Sequence, residues 1–263
     1  MPRIKTRAVC LRKIDYSETS QIVWLFTPEH GRVSVMAKGA KRSTSNRPGL
    51  PLDTAAYYEV IYYDKPGAEL ANMAEYTLLD LFPGLRRNLH AYYHTLYILE
   101  ICRHVVQPGV EATDFFDALL MTLATIANGR HDRLPLLYFE LQTLNFLGAL
   151  PDVSGCVHCG RKLPREQRPE SLTFSVRGGG LVCKHCRQTD PTSYACDRKA
   201  VATYESMLHW GLPVAAIPMD IKALGQLVQP LFISHFDRPL TMRSFCWQPV
   251  PATHLPVVAT NGG

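Results

Sequence analysis

Hydrophobic and polar positions alternate with a period of two over the first part of the chain and switch to a helical period beyond Phe82. Three apolar runs, Arg7–Lys13, Gln21–Thr27 and Arg32–Ala37, predict strands. In the second, Ile22, Trp24 and Phe26 alternate with Val23, Leu25 and Thr27, and Pro28-Glu29-His30-Gly31 supplies a turn into the third, so a hairpin is expected. Two further strands are predicted over Ala56–Tyr63, which carries four tyrosines, and Glu69–Leu78. Between the third run and these strands, Lys38–Gly49 is polar, basic and rich in Gly, Ser and Pro, the composition of a mobile loop. Five short strands with little helix predict a small barrel of the OB type.

Helical spacing follows in Leu85, Leu89, Tyr92, Leu96, Leu99, and again in Phe115, Phe116, Leu119, Leu120, Leu123, Ile126, with stops at Pro108-Gly109 and Asn128-Gly129. A third helix is predicted over Pro135–Leu147, ended by Gly148 and Pro151, and two amphipathic helices near Arg198–His209 and Ile221–Phe236. The expected fold class is α+β and multidomain. An OB-fold barrel is expected over residues 1–80, a helical domain over 81–150 and 190–247, a four-cysteine ribbon inserted in the helical part over 151–189, and a flexible tail over 248–263.

Charge changes this picture by dividing it. The net charge of +5 is modest, but residues 1–50 hold ten Lys or Arg against three Asp or Glu, and residues 51–150 hold six against twelve. The balance returns to nine against five over 151–200. Such segregation implies modules with separate partners. The basic start, Met-Pro-Arg-Ile-Lys-Thr-Arg, leads into Arg12, Lys13 and Asp15 and not into an apolar h-region, so no signal peptide is expected. The uncharged run after Ser244 is broken by Pro249, Pro251 and Pro256, which excludes a spanning helix there. A soluble cytoplasmic protein without a membrane partner is expected, and in a reducing compartment clustered cysteines more often bind metal than form disulfides.

Cys156-Val-His-Cys159 and Cys183-Lys-His-Cys186 are two C-x-x-C units with 23 residues between them. A two-residue gap lets each pair curl around one cation, and four thiolates satisfy the tetrahedral preference of zinc. Thr173-Phe-Ser-Val-Arg, Gly178-Gly-Gly and Leu181-Val-Cys predict a hairpin delivering the second pair. The alternatives are two reducible disulfides or unligated cysteines. Four cysteines close the coordination shell, so one structural Zn2+ on Cys156, Cys159, Cys183 and Cys186 is expected, not a catalytic one. His158 and His185 lie inside the knuckles and are expected to face solvent. Cys10, Cys102, Cys196 and Cys246 are expected to be small buried apolar residues.

In the barrel region Arg7, Arg12, Lys13, Arg32, Lys38, Lys41, Arg42 and Arg47 are the candidate phosphate contacts. Trp24, Tyr57, Tyr58, Tyr62 and Tyr63 are the aromatics available for stacking on bases. Alternation sends Tyr58 and Tyr62 one way and Tyr57 and Tyr63 the other, so at most one pair faces a ligand. The plain alternative for the charges is a solvated surface. No G-x-S-x-G elbow, P-loop or H-E-x-x-H is present, and Gly178-Gly-Gly180 lacks the spacing of a dinucleotide fingerprint. Asp114 with Asp117, and Glu29 with His30, sit at a helix start and a turn, where capping and solvation explain them, and no enzyme is expected.

Several stretches resemble the bacterial recombination-mediator and DNA-repair family RecO, up to about residue 247. Ala8-Val-Cys-Leu-Arg12, the run from Asp15-Tyr-Ser-Glu to Thr27-Pro-Glu-His-Gly31, and Val35-Met-Ala-Lys-Gly-Ala-Lys41 are similar to that family's amino-terminal barrel. Phe139-Glu-Leu-Gln leading through Pro151 into Cys156-Val-His-Cys-Gly160, and Gly179-Gly-Leu-Val-Cys-Lys-His-Cys186, are similar to its zinc knuckles. The resemblance implies binding to single-stranded and double-stranded DNA, annealing of complementary strands, and help to RecA in displacing single-stranded DNA-binding protein. RecR and the carboxy-terminal tail of single-stranded DNA-binding protein are implied partners. The competing readings are a zinc-ribbon scaffold for a nucleic-acid polymerase and a zinc hydrolase acting on nucleic acid.

Overall fold

The computed structural model describes residues 2–42, 51–64, 69–130, 132–210 and 220–247. Five strands, β1 (Arg3–Asp15), β2 (Gln21–Thr27), β3 (Gly31–Ala37), β4 (Tyr57–Tyr63) and β5 (Ala71–Asp80), close a barrel in the order β1-β2-β3-β5-β4. All neighbours are antiparallel except β3 and β5, which meet in parallel through Val35–Ala71 and Met36–Asn72. This is the OB-like arrangement expected from the alternation. β1 begins four residues before the apolar run because its first half pairs with β4, from Arg3 opposite Tyr63, while its second half pairs with β2.

Inward-facing Ala8, Cys10, Val23, Leu25, Val35, Ala37, Tyr58, Val60 and Tyr62 fill the barrel. Tyr58 and Tyr62 are thus interior, and Tyr57 and Tyr63 are the outward pair. A bulge interrupts β1: Cys10 faces Leu25 and Arg12 faces Trp24, with Leu11 extra between them. Unbroken alternation would carry Arg12 into the barrel beside Cys10. The extra residue returns it to the outer face, the usual consequence of a bulge.

That outer face is not all solvated. Val9, Leu11 and Phe26 are fully buried because they join the main core of the helical part. There α1 (Leu89–Val105), α2 (Thr113–Ala127), α3 (Leu134–Phe146), α4 (Arg198–Trp210), α5 (Ile221–Ser234) and a short α6 (Arg243–Trp247) pack together. Asn88 caps α1 by accepting from the N–H groups of His90 and Ala91 at 2.8 and 3.3 Å. Phe26 meets Phe116 of α2 edge-on, with ring centroids 5.2 Å apart. Gly31, at φ +61°, lies against the α1–α2 connection so closely that a Cβ would stand 2.2 Å from the Gln107 carbonyl oxygen.

α3 runs through the centre, buried on all sides from Leu134 to Leu141. Its one carboxylate in that stretch, Glu140, accepts from the Tyr97 hydroxyl at 2.6 Å and from the Gln229 amide. Burial pushes the Glu140 carboxyl up to about 8, against the opposing pull of the Tyr97 hydroxyl and the Arg243 charge. The five-residue α6, absent from the sequence expectation, is pinned by Glu100, which accepts the N–H groups of Thr241 and Met242 at 2.8 Å each.

The expected hairpin is present as β6 (Ser171–Ser175) and β7 (Gly180–Val182), and β8 (Ser193–Asp197) adds a third strand to give the order β7-β6-β8. Leu172, Phe174, Leu181 and Cys196 carry this sheet into the main core. Among the described residues no helix is long and apolar enough to cross a membrane. The expected tail, 248–263, and residues 43–49 of the expected loop lie outside the described residues.

Candidate metal centre and nucleic-acid interface

The two C-x-x-C turns meet beside β7, the second continuing directly from that strand. Gly160, at φ +72°, turns the chain out of the first, where the Cys156 N–H bonds the Arg161 carbonyl at 2.8 Å. Val157 N–H bonds the Leu181 carbonyl at 2.9 Å and so ties this turn to β7. The sulfurs of Cys156, Cys159, Cys183 and Cys186 lie within 4.8 Å of one another. Cys159 Sγ and Cys183 Sγ are 3.7 Å apart, far beyond a disulfide bond of about 2.05 Å. Tetrahedral ligation with bonds of about 2.3 Å places sulfurs roughly 3.8 Å apart, so the donor set fits such an ion.

Electrostatics favour thiolate at two of the four cysteines, Cys156 and Cys183, whereas the Cys183 side chain pushes the Cys186 thiol up to about 12. Burial pushes the Cys156 thiol up, but N–H groups of Cys183, Cys159 and His158 outweigh it and bring it to about 6. At Cys183 the Cys186 N–H lowers the thiol, with burial opposing. The other four cysteines are unlike these: Cys10, Cys102, Cys196 and Cys246 are buried, and burial raises each, Cys10 and Cys246 to about 12 and Cys196 to about 11. They stay protonated and apolar. His158 Nε2 lies 2.7 Å from Asp190 Oδ2, which commits that ring to a structural pair.

Seven of the eight barrel cations divide into three groups. Arg7 and Lys13 are tied within the chain: Arg7 lies over the Phe116 ring at 5.5 Å and 3.8 Å from Asp117, and Lys13 holds Asp53 at 2.7 Å. Arg12 and Arg32 flank Trp24 from β1 and β3, their guanidinium carbons 5.3 and 5.2 Å from its ring centroid. Arg32 also donates to the Arg103 carbonyl at 3.0 Å. Lys38 and Arg42 are exposed just past β3, beside Lys41, which pairs with Asp15 at 3.1 Å. Arg47 lies outside the described residues.

The segment 38–42 packs on the β1–β2 turn, where Lys41 N–H bonds the Thr19 carbonyl at 3.1 Å. Tyr16 in that turn is 65% exposed, a candidate aromatic that the sequence pattern did not single out. An aromatic in the loop joining the first two strands of an expected OB barrel was the signal available for it, since that loop and the β2–β3 face are where such barrels hold oligonucleotides.

Comparison with known proteins agrees with this architecture. The chain matches the family models described as "Recombination protein O N terminal" over residues 1–82 and "Recombination protein O C terminal" over residues 86–243. The chain belongs to the recombination protein O family. That membership places it among DNA repair and recombination proteins. A "DNA repair protein RecO" of Rhodopirellula baltica is 38% identical over 68% of this chain and 66% of that relative. The protein of the same name from Bacillus pumilus is 28% identical over 85% of this chain and 80% of the relative. One from Geobacter metallireducens is 29% identical over 95% and 100%. The family's two model regions meet near residue 84, where the barrel hands over to the helices.

Proposed function

We propose that this chain is a non-catalytic DNA-binding recombination mediator that anneals complementary strands and assists RecA loading on single strands coated by single-stranded DNA-binding protein, with RecR as a partner. The observation that carries the reading is the cationic rim of an OB-like barrel, where Lys38 and Arg42 stand beside the exposed Tyr16 and, on the β2–β3 face, Arg12 and Arg32 flank Trp24, half-buried against the helical core. A stacking surface beside cations is the chemistry single strands require. Tyr16, Lys38, Lys41 and Arg42 extend it along one rim. One Zn2+ on the four cysteines holds the ribbon and does no chemistry, since four thiolates leave no position for water.

The tail of single-stranded DNA-binding protein, acidic with an apolar end, needs a cation beside an apolar slot. A groove of about 850 Å³ in the helical part offers Arg133, Lys222 and Arg243 next to Trp247, Ile221 and Pro230. This ranks those three above Arg86, held by Asp53, and Arg130, held by Asp132.

Fluorescence anisotropy of a labelled single strand across a salt series tests the reading. Changing Lys38, Lys41 and Arg42 together to Ala weakens binding and flattens the salt slope by roughly one unit for each phosphate no longer neutralised. A tail peptide in the same assay loses affinity on Lys222→Ala and is indifferent to the barrel change. An unchanged slope places the strand elsewhere, and strand cleavage in the same samples overturns the non-catalytic reading.

A further inference from the structure

We propose that the tip of the four-cysteine ribbon is a second nucleic-acid site, one that grips the phosphates of duplex DNA. The proposal rests on the chain being a DNA-binding protein, and adds a surface to it. Five cations meet at this tip because the cysteine cluster pulls two loops together. Arg161 and Lys162 follow the first knuckle, Lys184 lies within the second, and Arg187 follows it. Arg177 joins them from the β6–β7 turn, which seats on the first knuckle so tightly that a Cβ on Gly178 would stand 2.7 Å from Val157 Cγ2.

All five are exposed, and none makes an ion pair among the described residues. The contrast within the ribbon is internal: Arg165 and Arg168 share Glu205 at 3.0 and 3.2 Å. Of the nearby carboxylates, Asp190 is buried against His158, Asp152 accepts from Ser154 at 2.9 and 2.7 Å, and Glu166 and Glu170 lie on the stretch leading into β6. The barrel differs, since Arg3, Lys5, Arg7, Lys13 and Lys41 all have carboxylate partners.

The kind of nucleic acid follows from what the tip lacks. Phe174 is buried and the Tyr194 hydroxyl is turned to α5, donating to the Leu227 carbonyl at 3.0 Å, so no exposed Phe, Tyr or Trp among the described residues stands beside the cations, and His158 is held by Asp190. Charge without a stacking surface recognises a phosphate backbone whose bases are already paired. The barrel face with Trp24 suits unpaired bases. One molecule therefore presents two surfaces of different preference, joined through the helical part.

The rival role for these cations is to offset the negative charge of four thiolates on one zinc. Both roles are separated by a variant of the full-length, zinc-loaded protein in which Arg161, Lys162, Lys184 and Arg187 become Gln. Its affinity for a short labelled duplex falls at least about tenfold, and the salt slope falls by about three units, near the limit for four phosphates left without a cation. Single-strand affinity falls less, and zinc content and melting temperature stay as in the parent. Duplex binding with unchanged slope overturns the proposal while leaving the barrel reading intact. Loss of zinc along with duplex affinity also overturns it, unless Lys162→Gln with Arg177→Gln, farther along the chain from the cysteines, reproduces the duplex loss at full zinc content. A parent protein that binds neither nucleic acid removes the DNA-binding reading and this inference together.

Discussion

The barrel and the ribbon are both small β structures attached to the same helical core, and different forces hold them. The barrel has an interior of thirteen buried apolar residues and hydrogen-bonded neighbours on both sides of every strand. The knuckles have three, Cys156, Val182 and Cys183, two of which are candidate ligands. Burial at about 25 cal/mol per Å² gives the barrel its stability, whereas so few side chains leave the knuckles with almost none of it. A module of the second kind needs a bound ion, and its stability then depends on redox state and metal supply in a way the barrel's does not.

Metal removal breaks that comparison most sharply. Chelation, or Cys183→Ser, is expected to abolish metal binding and unfold the ribbon tip, a loss on the order of 10 kcal/mol where zinc alone holds such a unit. The barrel and its seam with α2 are expected to keep their structure. Calorimetry with metal analysis reads both at once: one zinc per chain in the parent, and a new low-temperature transition in the variant. A protein without zinc whose melting is indifferent to chelators would put the ribbon in the same class as the barrel.

The converse change belongs at the barrel's attachment. Phe116 is fully buried and touches Phe26, Tyr57 and Arg7 of the barrel. Phe116→Ala is expected to cost about 3–5 kcal/mol of global stability through the cavity it leaves. Zinc content should not change. Denaturant unfolding reads the cost, and a loss below about 1 kcal/mol would mean that barrel and helices are less joined than their shared core indicates.

Sequence reasoning reached the two modules unequally. Period-two alternation was enough for the barrel because one face of each strand is buried, and the two C-x-x-C pairs were enough for the cluster because ligand spacing is local. β8 escaped notice because Ser193–Asp197 runs directly into α4 with no turn residue between, and its partner β6 lies some twenty residues earlier. α6 is five residues long and owes its place to Glu100, far away in sequence. Charge counting found the basic amino-terminal region but not which cations are already engaged. Arg7 meets Asp117, Lys13 meets Asp53, and only the fold brings those partners together. The same blindness hid the ribbon tip, where an ordinary local excess of charge becomes a patch because two loops converge.

The smallest expected effect tests how much of the ribbon stands without metal. Asp190 is buried beside the knuckles, where it accepts from Thr192 N–H at 2.9 Å and Thr192 Oγ1 at 2.7 Å and holds His158. Hydrogen bonds from Ser175, then Thr192 and His158, hold its carboxyl well below the usual range. A carboxylate lowered in the folded state stabilises fully above its unfolded value, near 3.9, and loses that contribution as pH falls through the folded one. Asp190→Asn keeps the shape and removes the charge, so it is expected to cost about 1–3 kcal/mol at neutral pH. The gap between variant and parent should close on acidification. Melting curves of the zinc-loaded proteins from neutral to acid pH measure it, with zinc content followed alongside because thiolate ligation is itself lost in acid. A gap that persists in acid at constant zinc would mean that the side chain acts by shape alone, and that the ion is the ribbon's only electrostatic support.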